Sequence, residues 1–189
     1  MIKNRQDYLD YLEAARVALG LPRTWGLYLR MKRVFFPHYI WSFVRLLRLA
    51  EYHHNCGHRL RCILAQYRLS RLSLKLGLDI ETNCLGTGLD IAHIGGITVS
   101  PLARIGRNCR VYPGVTIGNT RAGNPSPRLG DNILIGAGAA IIGDIDTADD
   151  TAIGANAVVV HSFTESGITL VGVPAKKVSD KGTEVIRKR

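Results

Sequence analysis

Apolar residues recur along this chain with two different periods, and the change falls near residue 77. Before it the spacing is helical. Residues 6–19 read as one helix, with a possible cap at Asn4 and a stop at Gly20 before Pro22. Residues 39–54 set Ile40, Phe43, Val44, Leu47 and Ala50 at intervals of three and four. Residues 58–76 do the same with Leu60, Ile63, Leu64, Tyr67 and Leu74, while Leu69, Leu72 and Leu76 widen the stripe. Gly77 is a plausible stop. Between the first two helices, TWGLYLRMKRVFFPHY mixes basic and aromatic residues without a clear period.

After residue 77 the period becomes six. The first position of successive hexads is Val99, Ile105, Val111 and Ile117, then, after a break, Leu129, Ile135, Ile141, Thr147 and Ile153. The fifth is Ala103, Cys109, Val115, Ile133, Ala139, Ile145, Thr151 and Ala157, always small or aliphatic. One large and one small apolar position per six residues fits neither a 3.6-residue helix nor a simple alternating strand. It predicts a stacked coil with flat sides and tight corners, in which each turn buries its apolar positions against its neighbours. Gly and Asn at fixed offsets suit corners that need positive φ. In that register Gly136-Ala137-Gly138 belongs to a corner, not to a dinucleotide loop.

Three regions follow: a basic α-helical segment over 1–76, the hexad coil over 77–161, and a C-terminal cap and tail over 162–189. Charge divides at the same boundary. Residues 1–76 hold fourteen Lys or Arg against four acids, and the remainder is balanced at eleven of each. Eleven of the thirteen aromatics also precede residue 77, so the two regions have different work. A basic, aromatic helical face can meet anionic lipid, nucleic acid or an acidic partner, or can simply be solvated. No nucleic-acid recognition motif accompanies it, so a nucleic-acid partner is not expected; peripheral membrane contact stays open. No apolar run is long enough to span a bilayer. Asp7, Asp10 and Glu13 stand where a secretion signal needs an apolar run. A cytoplasmic protein, able to work at the inner face of the membrane, is the expectation.

The four cysteines (Cys56, Cys62, Cys84, Cys109) have irregular spacing and predict no disulfide framework. His53, His54, Cys56, His58 and Cys62 are metal-ligand types, but they sit in a helical pattern with no second ligand pair downstream. No metal is expected there. The coil offers only His93 and His161, too few for a three-histidine zinc site of the carbonic anhydrase kind.

The segments GLDIAHIGGITVSPLARIGRNCRVYPGVTIG, LGDNILIGAGAAIIGDI, AIGANAVV and GVPAK, over residues 77–178, resemble the hexapeptide-repeat acyltransferases of the serine acetyltransferase-like branch. The resemblance implies an all-β left-handed parallel β-helix with an α-helical N-terminal region. It implies a homotrimer, with pairing of trimers left open, and acetyl-CoA as cosubstrate in clefts between neighbouring β-helices. His93 falls where the family's catalytic base lies. A neutral imidazole, of ordinary pKa ~6.5, can take the proton of a hydroxyl as its oxygen attacks a thioester. Asp79 or Asp90 would support the imidazolium that forms. The turn at Gly118-Asn119 would supply backbone N–H groups to the oxyanion. Gly136-Ala137 and Gly154-Ala155 would let the pantetheine arm run close to the coil, and Lys176 and Lys177 would meet phosphates.

The acceptor is less clear. In enzymes acting on free serine, the loop after the Gly118 turn carries an Arg-His pair before a proline; here Pro125-Ser126 precede Pro127. Arg121 and Arg128 are the remaining guanidinium candidates for substrate binding. With the clamp missing and the helical region short, the expected acceptor is a sugar hydroxyl of a surface polysaccharide or its precursor, and free L-serine is the alternative.

Overall fold

The computed structural model describes residues 1–23, 38–121 and 123–184. Most of the basic, aromatic segment (24–37) lies outside the described residues, as do 122 and 185–189.

Among the described residues three helices precede the coil: α1 (Arg5–Ala18), α2 (Tyr39–Asn55) and α3 (Arg59–Leu76). Asn4 caps α1, its side-chain oxygen accepting from the Asp7 N–H at 2.9 Å. Gly77 ends α3 in the left-handed conformation at φ 66°, which glycine adopts without a Cβ penalty. On α2 the buried face is Phe43, Val44, Leu47 and Ala50. On α3 it is Cys62, Ala65, Leu69 and Leu76, not the stripe of Leu60, Ile63, Leu64, Tyr67 and Leu74. Both faces of α3 are apolar, and the one with Cys62 and Ala65 is the smaller. Small side chains let α3 approach its neighbours closely, and the bulky face is left outward.

Fourteen strands follow among the described residues, numbered in chain order. One side of the coil holds β1 (Leu78–Ile80), β3 (Ile97–Val99), β6 (Thr116–Gly118), β9 (Ala140–Ile142) and β12 (Val158–Val159). A second holds β4 (Arg104–Ile105), β7 (Arg128–Leu129) and β10 (Asp146–Thr147). The third holds β2 (Asp90–Ile91), β5 (Arg110–Val111), β8 (Leu134–Ile135), β11 (Ala152–Ile153), β13 (Thr169–Val171) and β14 (Lys176–Ser179). From β3 to β12 consecutive strands therefore visit the three sides in turn, and their partners lie one turn above and below. All described pairings between named strands are parallel except β13 with β14, which closes the far end antiparallel.

The hexad pattern explains the core. First-position residues stack in register as Val99–Ile117–Ile141 on one side, Ile105–Leu129–Thr147 on the second and Val111–Ile135–Ile153 on the third. All are buried, as are the fifth-position residues Ala103, Cys109, Val115, Ile133 and Ala139. One corner is laddered by side chains: Asn108 Nδ2 donates to Asn132 Oδ1 at 2.9 Å, and Asn132 Nδ2 to Asp150 Oδ1 at 3.1 Å. All three sit at φ 57°, a left-handed conformation that Asn and Asp tolerate better than other side chains do.

Candidate active site

His93 follows β2 at the corner where the chain turns from the third side to the first. It is exposed and has no hydrogen bond or ion pair among the described residues. The register Ile91–Val111–Ile135–Ile153 runs up the third side. Two residues beyond each of these, His93, Pro113, Ala137 and Ala155 therefore fall on one corner. Backbone bonds tie that corner together: Gly138 N–H to Pro113 C=O at 2.9 Å and Asn156 N–H to Ala137 C=O at 2.8 Å. With strands ~4.8 Å apart, Ala137 lies ~10 Å and Ala155 ~14 Å from the level of His93. Both alanines are exposed, so the strip above His93 is smooth and open. The preceding glycines serve the stacking itself: a Cβ on Gly136 would stand 2.6 Å from Ala155 N, and one on Gly154 2.8 Å from Val171 Cγ1.

The strip ends at β14. Lys176 is paired with Val171 on β13, one rung beyond Gly154, and its ammonium is without an ion pair among the described residues. Lys177 differs, being held by Glu165 and Asp180.

The two acids flank the His93 corner without touching the imidazole. Asp79 lies on the outward face of β1, opposite Thr98, and has no ion pair among the described residues. Gly77, two residues before it, packs against Gly95 and Gly96; a Cβ there would stand 3.1 Å from Gly96 N. Asp90, on the other flank, lies 3.4 Å from Arg110 Nη1. Burial pushes its carboxyl pKa up, with Arg110 only partly offsetting the effect. A groove of about 590 Å³ opens between α3 and β1, lined by Gln66, Ser70, Ser73, Leu74, Asp79 and Glu81. Glu81 was not among the residues singled out from the sequence, although a strand's period of two already puts it on the outward side with Asp79.

Gly118 and Asn119 lie elsewhere. Gly118 ends β6 and Asn119 follows it, so a whole side of the coil separates them from the His93 corner. Asn119 Nδ2 donates to the carbonyls of Arg121 and Asn124 at 2.7 and 3.0 Å, which pins the loop to itself. Arg121 is exposed, with its guanidinium unpaired among the described residues. Arg128 is committed: Nη1 donates to Asp144 at 2.9 Å and Nε to Asp146 at 2.7 Å. Ser126 and Pro127 are buried, and Ser126 Oγ is 2.9 Å from Ser100 Oγ.

Burial pushes the thiols of Cys84 and Cys109 up to about 11 and about 12, leaving both protonated and poor nucleophiles. Among the described residues no group of three or more His, Cys, Asp or Glu is arranged to hold a metal ion. None of their helices is long and apolar enough to cross a membrane.

No family model matches the chain. Over 143 residues it is 36% identical to the serine acetyltransferase of Staphylococcus epidermidis, covering 72% of this chain and 67% of that one. The chain belongs to the serine acetyltransferase family. Over 121 residues it is also 36% identical to the serine acetyltransferase of Synechococcus elongatus, covering 62% of this chain and 49% of that one. It thus spans about half the length of one such relative and two thirds of another. The structure of Neisseria gonorrhoeae serine acetyltransferase in complex with serine superposes with a TM-score of 0.73 at 29% identity, covering 93% of this chain and 70% of that one. A serine acetyltransferase in complex with CoA gives 0.67 at 26%, covering 92% and 68%.

These family members correct the acceptor expected from the loop. Relatives at 34–37% identity are serine acetyltransferases, which overturns the sugar hydroxyl and favours L-serine. The loop misled for a physical reason. Ser126 and Pro127 are packed into the coil rather than turned to solvent, so their identity reports how the loop is anchored and not what it binds.

Proposed function

We propose that this chain is an acetyl-CoA-dependent serine O-acetyltransferase, with a left-handed coil assembled as a homotrimer. The observation that carries the reading is the single corner on which exposed His93 stands at the foot of Ala137, Ala155 and, at its far end, Lys176. A thioester carbonyl beside His93 would leave the pantetheine arm lying along the alanines and the phosphates near Lys176.

In this reading neutral His93 removes the hydroxyl proton as the serine oxygen attacks the acetyl carbonyl. The C–S bond then breaks, and the imidazolium returns the proton to the departing thiolate, so the base is regenerated. Asp79 is the positioning carboxylate for the imidazolium. It is preferred to Asp90, which is shielded and engaged by Arg110. Glu81, on the same groove, would hold the serine ammonium, and unpaired Arg121 its carboxylate. Gly118, Asn119 and Arg121 lie a full side of the coil from His93, so a neighbouring copy would bring these groups to it. This is the role of the trimer.

The test is release of free thiol from acetyl-CoA with L-serine as acceptor. Saturable turnover that depends on L-serine is expected. Release at the rate of the acceptor-free control would refute the proposal.

A further inference from the structure

The outward face of α3 has no described partner, and it is not a polar face. Leu60 is 84% exposed, Ile63 64%, Leu64 51%, Tyr67 61% and Leu74 81%. At 100° per residue these five span about 100° of the helix, opposite the buried Cys62, Ala65, Leu69 and Leu76. From Leu60 to Leu74 the stripe runs ~21 Å. Isolated exposed leucines are ordinary; a continuous stripe along one helix marks an interaction surface.

Charge says what it meets. Arg61, Arg68, Arg71 and Lys75 lie on or along one edge of the stripe, and α3 contains no Asp or Glu. Lys75 Nζ also sits 5.1 Å over the ring of Tyr39, itself partly exposed at the start of α2. The nearby acids, Asp79 and Glu81, line the groove on the opposite edge, beside Gln66, Ser70 and Ser73. A second copy docking antiparallel through the same stripe would set one row of Arg61, Arg68 and Lys75 beside the other. That arrangement is repulsive, and α3 supplies no acid to relieve it.

We propose that this face of α3 lies on an anionic lipid bilayer, with Leu60, Ile63, Leu64, Tyr67 and Leu74 entering the interface and the basic edge meeting lipid phosphates. It is a surface attachment, since α3 is an amphipathic helix packed on the protein by its other face. Leu74 also borders the groove of Asp79 and Glu81; Leu60, Leu64, Arg61 and Arg68, the positions varied below, do not line it, so the test is independent of the acceptor.

Sedimentation of the full chain with vesicles tests it, comparing phosphatidylcholine containing phosphatidylglycerol with phosphatidylcholine alone. The protein is expected to pellet with the anionic vesicles and to remain in solution with the neutral ones. The double variants Leu60→Ser/Leu64→Ser and Arg61→Glu/Arg68→Glu should each weaken binding at least ~tenfold, with thermal melts unchanged. Equal binding to both vesicles, binding to neither, or binding retained by both variants would overturn the proposal. If the wild type ignores vesicles and Leu60→Ser/Leu64→Ser lowers the assembly mass in light scattering, the face is an interface between copies and the lipid proposal fails.

Discussion

Arg48 and Glu51 form an ion pair closed to solvent, and the pair bolts α2 to the first turn of the coil. Arg48 Nη1 donates to both Glu51 carboxylate oxygens at 3.0 and 2.9 Å and to Leu85 C=O at 2.9 Å; Nη2 donates to Gly86 C=O at 2.6 Å. Glu51 Oε1 accepts the Asn83 N–H at 2.9 Å. Arg48→Met leaves a buried carboxylate without its counter-charge, so a loss of about 3–5 kcal/mol is expected in chemical denaturation. The double variant Arg48→Met/Glu51→Leu should recover part of it, because no unpaired charge then remains.

Two glycines of the candidate site should separate in stability. A Cβ on Gly136 meets backbone at 2.6 Å, whereas one on Gly118 meets nothing within 4 Å. Gly136→Ala is expected to cost about 1–3 kcal/mol through forced backbone shifts. Gly118→Ala should stay within about 0.5 kcal/mol of wild type. Thermal melts of the two variants check this, and equal losses would contradict the stacking described.

His53 should make the helical region sensitive to mild acid. Burial holds its pKa below the ordinary histidine value, and the charges of His58 and Arg61 act in the same direction. Its Nδ1 lies 3.1 Å from His58 Nδ1, an arrangement that needs at least one neutral ring. A depressed folded-state pKa means that stability is fully present above ~6.5 and is lost as pH falls through the lower folded value. Melting temperature should therefore drop between pH 7 and pH 5, and His53→Gln should flatten that slope.

The two lysines of β14 are expected to differ. Lys177 is held by Glu165 and Asp180, while Lys176 is free of ion pairs among the described residues. Lys176→Ala should raise KM for acetyl-CoA several-fold, and Lys177→Ala should raise it less. Initial rates at varied acetyl-CoA measure both.

The coil was legible in the sequence because its signal repeats: each buried pair, such as Ile135 with Ala139, is restated one hexad later. The helices were legible from Asn4, Gly77 and the apolar spacing. Which face of α3 is buried was not, because both are apolar, and the choice depends on how closely Cys62 and Ala65 allow α2 to approach. The alignment of His93 with Ala137 and Ala155 needs only the period of the repeat. The commitment of Arg128 to Asp144 and Asp146 depends on side chains sixteen and eighteen residues away, which local spacing does not reveal. The acceptor was not legible in Pro125-Ser126-Pro127, because Ser126 and Pro127 are buried and anchor the loop while only Pro125 faces solvent.

Exposed His93 is the proposed base, and the decisive measurement is turnover of His93→Ala with acetyl-CoA and L-serine at saturation. Because the side chain touches no described partner, the variant should fold and melt as wild type. Its kcat should fall at least ~100-fold, with CoA binding within about twofold of wild type. A kcat within about twofold of wild type would contradict that role for His93.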